Sequence, residues 1–347
     1  MSQADSLRVG INGFGRVGRS VFRAALSDPH LEVVGVNDVA DDETVEYLAR
    51  YDSVLGRLDA AVEDGHLVAQ NADGEARALV TRERDPAALP WTDLGVDVAL
   101  ECTGAFRTRE DASAHLDAGA DRVVISAPPK DDVTQVVYGV NEDEYDGEAV
   151  VSNASCTTNS VAPVAATLHE AFGLESGYLT TIHAYTASQN LIDGPHEKPR
   201  RGRAAAENIV PTTTGAAKAV TQVLPELSGT LDGMAVRVPV PSGSITQLTV
   251  ALADAPDAAA INDALTSAAD GPMAGVLGYT DDEIVSRDVV GLPVSSYVDL
   301  SSTAVVGDDG LATVLAWYDN EFGFANRMLD VARHVAPASP EATAGPA

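Results

Sequence analysis

Lysine, cysteine and long apolar runs are all scarce in this chain of 347 residues. Basic residues number 22 against 52 acidic ones, which gives a formal net charge of −30, and lysine occurs only three times. This shortage of positive charge argues against a protein that binds nucleic acid or anionic membranes through general electrostatics. Because no apolar run reaches the length that spans a bilayer, no membrane partner is expected either.

Two cysteines, Cys102 and Cys156, are too few for a disulfide framework or a zinc site. The seven histidines show no ligand spacing, so no metal is predicted. The first eight residues lack the apolar run of a signal peptide, which favours a cytoplasmic location. We interpret the acidic surface as that of a folded, halophilic protein from a salt-rich cytoplasm.

A glycine-rich motif lies near the start of the chain. A predicted strand at Leu7–Asn12 leads into Gly13-Phe-Gly-Arg-Val-Gly18, which has G-x-G-x-x-G spacing and opens a predicted helix. The next strand ends at Asp38, about 20 residues further on, as in dinucleotide sites. There the glycines let the backbone approach a pyrophosphate, and the acid bonds a ribose. The pattern predicts a dinucleotide site, against the alternative of a glycine-rich turn in another α/β protein.

Two further predicted strands end in small polar residues. The strand at Val96–Cys102 is followed by Thr103, and the strand at Arg122–Ala127 contains Ser126. Ligands of parallel sheets bind at strand ends, so both residues are candidate cofactor contacts. Arg84, in a polar loop, either lies near an adenine ring or is a solvated surface charge.

Small hydroxyl residues crowd Cys156 within the stretch Ser152–Asn159. An apolar pattern of helical spacing follows, so Ser155 is predicted to be an N-cap and Cys156 to lie in the first helical turn. The positive end of a helix favours a thiolate, which makes this a candidate reactive cysteine. The alternative is a small buried hydrophobic residue.

The second half of the chain offers possible partners for this thiol. His183 lies on a predicted strand and is either a base or a satisfied core residue. Residues 187–210 form a long polar stretch with a basic island, which we interpret as an anion site or a subunit contact. Thr212–Lys218 is predicted to open a helix with hydroxyl groups, a second anion site. Arg237, inside a strand, requires an anionic partner.

These ingredients suit one reaction. A thiol adds to an aldehyde, hydride leaves to a nicotinamide, and a thioester remains. The thiol needs a base, and the intermediate alkoxide needs a hydrogen-bond donor; His183 is the candidate for both roles.

The two halves differ in their predicted architecture. In the first half, short strands alternate with helices, which predicts an α/β Rossmann domain with a doubly wound sheet. In the second half, long strands follow one another with few crossover helices, which predicts an α+β domain with a mostly antiparallel sheet. Within it, separate strands are predicted at Tyr297–Leu300 and Thr303–Val306.

Six motifs occur in the order found in a known enzyme family. They are Ile11-Asn-Gly-Phe-Gly-Arg16, Ser152-Asn-Ala-Ser-Cys-Thr-Thr-Asn159, His183-Ala-Tyr-Thr186, Thr214-Gly-Ala-Ala-Lys218, Arg237-Val-Pro239 and Trp317-Tyr-Asp-Asn-Glu321. From about Leu7 to Val335 the chain resembles phosphorylating glyceraldehyde-3-phosphate dehydrogenase, in an acidic, halophile-like form. The resemblance implies oxidation of D-glyceraldehyde 3-phosphate, with inorganic phosphate and NAD, to 1,3-bisphosphoglycerate in glycolysis and gluconeogenesis.

The resemblance also implies a role for each matching residue, with Cys156 as nucleophile and His183 as its base. It places the substrate phosphate on Thr186 and Arg237, and the inorganic phosphate on Ser155, Thr157, Thr214 and Gly215 with Arg201 nearby. It implies that the cofactor contacts Gly13, Gly15, Arg16, Val17, Gly18, Asp38, Arg84, Thr103, Ser126 and Asn320. Residues 187–210 would pack against a neighbouring subunit's cofactor in a homotetramer.

The domain limits follow from the same resemblance. They are an NAD(P)-binding domain at residues 1–155, a catalytic domain at 156–319, a last helix at 320–335 that returns to the first domain, and a frayed tail at 336–347.

The choice of cofactor and substrate leaves alternatives. Asp38 favours NAD because a carboxylate repels a 2′-phosphate, whereas the small Gly194 removes bulk that helps to exclude NADP, so dual use stays open. Erythrose-4-phosphate dehydrogenase is the nearest alternative enzyme, and Thr186 and Arg237 argue against it. Aspartate-semialdehyde dehydrogenase has motifs that do not match. The alternative outside enzymes is a catalytically silent dinucleotide-binding protein.

Overall fold

The computed structural model describes residues 6–307 and 311–337 and divides the chain into two compact units. The first unit comprises the chain up to Val136, Glu142–Asn153 and the chain from Met328 onward. The second comprises Val137–Asn141 and Ala154–Arg327. Most of the predicted frayed tail, from residue 338 onward, lies outside the described residues.

An eight-stranded sheet forms the centre of the first unit. The strands of this unit are β1 (Leu7–Asn12), β2 (Leu31–Asn37), β3 (Tyr51–Asp52), β4 (Gly56–Arg57), β5 (Asp59–Glu63), β6 (His66–Gln70), β7 (Glu75–Thr81), β8 (Val98–Glu101), β9 (Arg122–Ile125) and β10 (Val150–Ser152). Its helices are α1 (Arg16–Ala25), α2 (Asp42–Arg50), α3 (Trp91–Leu94) and α4 (Arg109–Asp117).

The strand order is β10-β9-β8-β1-β2-β7-β6-β5, with β3 and β4 paired separately. The strands from β10 to β7 run parallel, and β6 and β5 add an antiparallel edge. Strands β8 and β9 are almost wholly buried, because helices cover both faces of a doubly wound sheet. The predicted Rossmann architecture is therefore confirmed.

A seven-stranded sheet forms the centre of the second unit. Its strands are β11 (Leu174–Ala184), β12 (Val210–Thr213), β13 (Leu231–Val238), β14 (Ser244–Leu252), β15 (Leu277–Thr280), β16 (Ser296–Val306) and β17 (Leu311–Tyr318). The remaining helices are α5 (Cys156–Phe172), α6 (Ala216–Val223), α7 (Ala258–Ala269) and α8 (Phe322–Val335). In the order β12-β13-β11-β14-β17-β16-β15, only the pairs β11–β13 and β15–β16 are parallel, which confirms the mostly antiparallel sheet.

Three local expectations are corrected. The two strands predicted at Tyr297–Leu300 and Thr303–Val306 form the single strand β16, whose register with β17 shifts between Asp299 and Ala304. Strand β15 was not predicted at all. The hydroxyl residues Thr212 and Thr213 belong to β12 instead of opening α6, because β-branched side chains suit a strand.

Helix α5 packs into the core of the second unit. Val161, Val164 and Leu168 are buried against apolar residues of the sheet, α6 and α7. Full burial of each such side chain stabilises the fold by about 1.5–3 kcal/mol. This packing fixes the position of the helix N-terminus, where Cys156 lies.

Candidate active site

Ser155 caps the helix that carries the cysteine. Its Oγ accepts a hydrogen bond of 3.0 Å from the Thr158 backbone N–H, and Cys156 is the first residue of α5. The predicted cap and the predicted first-turn position of Cys156 are both confirmed. Ala154, just before the cap, has a φ of 54°, an uncommon value for a residue with a side chain, and so turns the chain sharply into the helix.

His183, on β11, lies beside both Cys156 and Arg237. Its Nε2 is 3.5 Å from Cys156 Sγ, and its Nδ1 is 2.9 Å from Arg237 Nη1. Register explains the second contact, because His183 of β11 pairs directly with Arg237 of the adjacent β13. The Ala184 carbonyl oxygen lies 2.7 Å from Nδ1 and also accepts from Arg237 Nη1 at 2.8 Å. The side chains of all three candidate residues are thereby brought together.

Burial and charge set the protonation of this group. Burial, followed by the positive charge of Arg237, lowers the pKa of His183 from 6.5 to about 3, so the imidazole is neutral at neutral pH. Burial raises the pKa of the Cys156 thiol, and Arg237 and Thr157 act in the opposite direction. Burial thus disfavours the thiolate that the helix position predicts for Cys156. A nearby base has to remove the thiol proton.

The two tautomers of His183 have different consequences. When Nδ1 holds the proton and donates it to the Ala184 carbonyl, the lone pair of Nε2 faces Cys156 Sγ and can accept the thiol proton. When Nδ1 instead accepts from Arg237, an N–H of Nε2 faces the sulfur and stabilises a thiolate. One tautomer of His183 therefore suits the thiol of Cys156, and the other suits its thiolate.

Tyr318 is a site residue that sequence reasoning missed. Its hydroxyl lies 3.0 Å from Thr157 Oγ1 and 2.8 Å from Thr181 Oγ1, and its ring meets that of His183 edge to face at 5.9 Å. The side chain is almost fully buried, and this burial raises the pKa of the phenol, so it stays protonated. Tyr318 thus ties the strand of the base to the helix of the thiol.

Arg201 organises a second group of hydroxyls. Its guanidinium contacts Thr212 Oγ1 at 3.0 Å and Ser188 Oγ at 3.4 Å, and Ser188 Oγ lies 2.9 Å from Thr186 Oγ1. The positive charge of Arg201 also contributes to lowering the pKa of His183.

Neither arginine of the site meets a carboxylate among the described residues. The partners of Arg201 are hydroxyl and carbonyl oxygens, and those of Arg237 are the His183 ring and a carbonyl. Two guanidinium groups without a negative partner, in a chain of net charge −30, are unexpected unless an anion binds there. Both guanidinium groups are thus able to accept an anionic ligand.

The N-terminus of α6 supplies Thr214 and Gly215. Gly215 is the N-cap of this helix, and a side chain added there would meet no atom within 4 Å. Thr214 Oγ1 accepts a hydrogen bond of 3.1 Å from the Ala216 N–H. The helix N-terminus is thus open to a ligand, with a hydroxyl beside it.

Asn320 is linked to the strand of His183 through Ser244. The Ala184 N–H donates to Ser244 Oγ at 3.1 Å, and that hydroxyl donates to Asn320 Oδ1 at 2.8 Å. Since the amide oxygen of Asn320 is the acceptor, its amide nitrogen is the end that can donate to a ligand.

In the first unit, the glycine-rich turn has the geometry that close backbone approach requires. Gly13 has a φ of 95°, and a Cβ on it would lie 2.7 Å from the Thr103 nitrogen. A Cβ on Gly18 would lie 2.0 Å from the Gly13 oxygen. Gly15, the N-cap of α1, has nothing within 4 Å of such a Cβ. The turn thus leaves a helix N-terminus accessible, which fits the diphosphate of a dinucleotide.

A cavity of about 380 Å³ lies at the carboxyl ends of β1, β2 and β8. Five of the predicted cofactor residues form part of its wall: Gly13, Gly15, Asp38, Arg84 and Thr103. Four others lie outside this wall: Arg16, Val17, Gly18 and Ser126.

Asp38 and Arg16 are both engaged by other groups of the first unit. The Asp38 carboxylate accepts from the Phe14 N–H at 2.8 Å and from the Ala40 N–H at 3.0 Å, which fixes its orientation at the cavity. Arg16 pairs with Asp52, which also lies 3.9 Å from Arg19. The charge of Arg16 is thus held beside α1 by a carboxylate.

No group of three or more metal-ligating side chains is present in the part of the chain that the structure describes. No described helix is both long and apolar enough to cross a bilayer.

Two family models match the chain. The model described as glyceraldehyde 3-phosphate dehydrogenase, NAD binding domain, matches residues 7–109. The model described as glyceraldehyde 3-phosphate dehydrogenase, C-terminal domain, matches residues 155–320. Together the two matches cover most of the chain.

Curated relatives are similar over nearly the full length. The glyceraldehyde-3-phosphate dehydrogenase of Haloarcula vallismortis is 61% identical over 335 residues, which cover 96% of this chain and 99% of the relative. That of Geobacillus stearothermophilus is 51% identical over 335 residues, covering 95% and 98%. Glyceraldehyde-3-phosphate dehydrogenase 1 of Bacillus subtilis is 49% identical over 334 residues, covering 95% and 98%.

Proposed function

The chain belongs to the glyceraldehyde-3-phosphate dehydrogenase family, and on that premise we propose that it oxidises glyceraldehyde 3-phosphate through an acyl group held on Cys156. It is an oxidoreductase of glycolysis that uses NAD. The observation that carries the proposal is the 3.5 Å contact between Cys156 Sγ and His183 Nε2. The proposed product is 1,3-bisphosphoglycerate, so gluconeogenesis uses the same site in reverse.

In the first half of the reaction, His183 Nε2 takes the thiol proton and the sulfur bonds to the aldehyde carbon. The resulting alkoxide is stabilised by the N–H of Nε2 and then takes that proton, which gives a hydroxyl group and leaves the imidazole neutral again. Bound NAD supplies the acceptor for the hydride that leaves the same carbon. His183 removes the hydroxyl proton as the carbonyl reforms, and a thioester to Cys156 remains.

In the second half, an inorganic phosphate oxygen bonds to the acyl carbon and the carbon–sulfur bond breaks. We propose that Ser155, Thr157, Thr214 and Gly215 hold this phosphate, with Arg201 nearby. Two helix N-termini and their hydroxyl groups support this assignment, since such ends favour anions. The departing thiolate is stabilised by His183 and Arg237.

The phosphate of the substrate itself is assigned to Thr186 and Arg237. The support is that Arg237 reaches His183 without meeting a carboxylate, so an anion there lies beside the reacting sulfur. The same two residues argue against erythrose 4-phosphate as the preferred substrate, and the named relatives favour glyceraldehyde 3-phosphate.

The proposed cofactor contacts extend from the glycine-rich turn, with Arg16, Val17 and Gly18 at its helix end, to Ser126 and Asn320. Asp38 supports a preference for NAD, because its carboxylate is held in place by two N–H donors and would repel a 2′-phosphate. Gly194 lacks a bulky side chain and supports secondary use of NADP. The ratio of kcat/KM for the two cofactors in molar salt measures this preference.

We propose a homotetramer in which residues 187–210 contact a neighbouring subunit. Leu191, Ile192 and Ile209 are 78%, 74% and 70% exposed in a single chain, which is unusual for aliphatic side chains lying in one loop. Light scattering tests this: the expected mass is about four times the 36.0 kDa of the chain. A mass of one chain in molar salt overturns it.

The acidic composition supports a protein of a salt-rich cytoplasm. The net charge is −30, and the 61% identical relative comes from a halophile. The proposed domain limits, at residues 155 and 319, are part of the same family-based assignment.

The activity is tested by following NADH formation from glyceraldehyde 3-phosphate in molar KCl, with and without phosphate. We expect turnover that requires phosphate and exceeds that with erythrose 4-phosphate. The Cys156→Ser variant should lose turnover, because a serine hydroxyl is a far weaker nucleophile than a cysteine thiolate. Its affinity for NAD should be unchanged. No activity in the parent enzyme, or full activity in the variant, contradicts the proposal.

A further inference from the structure

Glu101 is a fully buried carboxylate to which no catalytic role has been assigned above. It is the last residue of β8, and its side chain is 0% exposed. Oε1 accepts from the backbone N–H of Thr103 at 2.8 Å and also from the Thr103 hydroxyl. Oε2 accepts from Asn12 Nδ2 at 2.6 Å and contacts His115 Nε2 at 3.1 Å. A buried carboxylate requires such compensation.

The Trp91 and His115 rings orient one of the donors to Glu101. The indole N–H of Trp91 can only donate, and it lies 3.1 Å from His115 Nδ1, so Nδ1 is an acceptor. The proton of the His115 ring is then on Nε2 and points to Glu101. Both oxygens of Glu101 thus accept hydrogen bonds from protein donors.

A series of hydrogen bonds runs from Glu101 across the ends of the neighbouring strands. Asn12, at the end of β1, donates to Glu101 and accepts from Asn37 Nδ2 of β2 at 2.8 Å. Asn37 Oδ1 in turn accepts from Thr81 Oγ1 of β7 at 2.9 Å and from the Glu83 N–H at 2.8 Å. The carboxyl ends of β8, β1, β2 and β7 are thus connected, and Asn37 Nδ2 also donates to the Glu83 carbonyl oxygen at 2.8 Å.

This series forms the floor of the candidate dinucleotide cavity. Asn12, Asn37 and Thr103 line the cavity, whereas Glu101 is not part of its wall. The Thr103 nitrogen that donates to Glu101 is also the atom that a Cβ on Gly13 would meet most closely, at 2.7 Å. Movement of Thr103 therefore changes the shape of the glycine-rich turn.

We propose that Glu101 is a positioning residue for NAD, which acts by fixing Thr103 and the Asn12–Gly13 turn at the floor of the cofactor site. The inference rests on the cofactor site proposed above. Glu101 acts on the cofactor only through these two groups, since its own oxygens are occupied by protein donors. A carboxyl group suits this position because both of its oxygens accept hydrogen bonds here.

Glu101→Gln is the direct test. The new amide NH2 has to face either Thr103 or the pair Asn12 and His115, and each of these is a donor. One side of the series is thereby lost without a large change in volume. We expect NAD to bind the apo protein about tenfold more weakly by calorimetry, with a matching rise in KM for NAD. The rate at which iodoacetamide alkylates Cys156 should stay within about twofold, because Cys156 belongs to the other unit.

Two further variants keep the test decisive. Glu32→Gln makes the same chemical change on β2, breaks a partly exposed pair with Arg8, and should leave NAD affinity unchanged. Trp91→Phe keeps an aromatic ring but removes the donor that fixes His115, and should weaken NAD binding by about threefold. It replaces Glu101→Gln as the deciding variant if the latter does not fold.

An unchanged NAD affinity in the deciding variant, or an equal loss in Glu32→Gln, overturns the positioning role. Failure of the parent protein to bind NAD would instead overturn the proposed cofactor site. Neither readout depends on glyceraldehyde 3-phosphate, so the two failures are distinguished.

Discussion

His183 connects the two properties on which the chemistry depends, a removable thiol proton and a bound anion. One ring nitrogen faces Cys156 and the other faces Arg237. Burial keeps the ring neutral, and the guanidinium adds to this effect. A negative phosphate on Arg237 would offset that positive charge and strengthen the base when substrate is present.

Replacing Arg237 by Gln should raise the pKa of His183 above its value of about 3, because a positive charge beside the ring disfavours imidazolium. The pKa should stay below 6.5, since burial is the larger cause. Histidine-selective NMR titration in molar KCl measures it. An unchanged or lower pKa contradicts the assignment.

The same lowered pKa has a consequence for stability. Between pH 6.5 and about 3 the unfolded chain binds one more proton at His183 than the native chain does. The free energy of unfolding should therefore rise with pH in that interval, by up to about 1.4 kcal/mol per pH unit from this group. Denaturant unfolding at several pH values should show this rise over a narrower pH interval in Arg237→Gln than in the parent, because the native pKa of His183 is higher in the variant, and an equally wide interval contradicts this.

Two helix N-termini carry the proposed anion site, and a third carries the proposed site for the diphosphate of NAD. In α5 the cap is a side chain, Ser155, whereas in α1 and α6 it is a glycine. Glycine leaves the first N–H groups accessible to a ligand. The arrangement places the function of each helix in its first turn, while the remaining turns pack into the core.

Ser155→Ala should lower the free energy of unfolding by about 1 kcal/mol, because the Thr158 N–H loses its partner. Asp257→Ala is the matched control: Asp257 caps α7 by accepting from the Ala260 N–H at 2.8 Å. Both variants should lose similar stability, and only Ser155→Ala should slow phosphate-dependent turnover. If phosphate-dependent turnover slows equally in both variants, Ser155 has only a structural role.

The glycine-rich turn gives a second matched pair. Gly15→Ala should fold normally, since its Cβ meets nothing within 4 Å, but should bind NAD at least tenfold more weakly because the methyl group stands at the helix N-terminus. Gly18→Ala should lower the melting temperature instead, because its Cβ would lie 2.0 Å from a backbone oxygen. Thermal melts and NAD titration of both variants separate the effects. Unchanged NAD affinity in Gly15→Ala would place the cofactor elsewhere.

Short sequence patterns predicted most of these helices and strands, but they could not predict contacts between residues that are distant in sequence. Because Ser155 and Cys156 are adjacent, one short stretch of sequence predicted both the helix cap and the reactive thiol. Tyr318 was missed because its partner Thr157 lies 161 residues away in sequence. The sequence identified Glu101 only as part of a buried strand, because its partner Asn12 is 89 residues away in sequence. The true strand at Thr212 depends on its pairing with β13, which no local pattern reveals.

At the level of the whole molecule, the dominant property is a net charge of −30 in 347 residues. Like charges on a folded surface repel one another, and the repulsion is relieved when the chain expands. Ion pairs of arginine, such as Arg8–Glu32 and Arg50–Glu46, cannot balance this excess, because 52 acidic residues face only 22 basic ones. Salt is therefore expected to act on stability as well as on solubility.

The melting temperature should rise by about 10 °C or more between 0.1 M and 2 M KCl, because screening shortens the range of the repulsion to a few ångströms. Differential scanning fluorimetry measures the shift. The bacterial relative from Geobacillus stearothermophilus is a natural control of the same family. A melting temperature that falls or stays constant with KCl would contradict a fold adapted to high salt.

An acyl group held by Cys156 between oxidation and phosphate attack is the central step of the proposed reaction, and rapid mixing without phosphate tests this step directly. With glyceraldehyde 3-phosphate and NAD, the enzyme should form about one NADH per active site, stop, and resume when phosphate is added. Mass spectrometry of the stalled enzyme should find the acyl group on the peptide that contains Cys156. Steady NADH formation without phosphate, or a burst that persists in Cys156→Ser, would contradict the account.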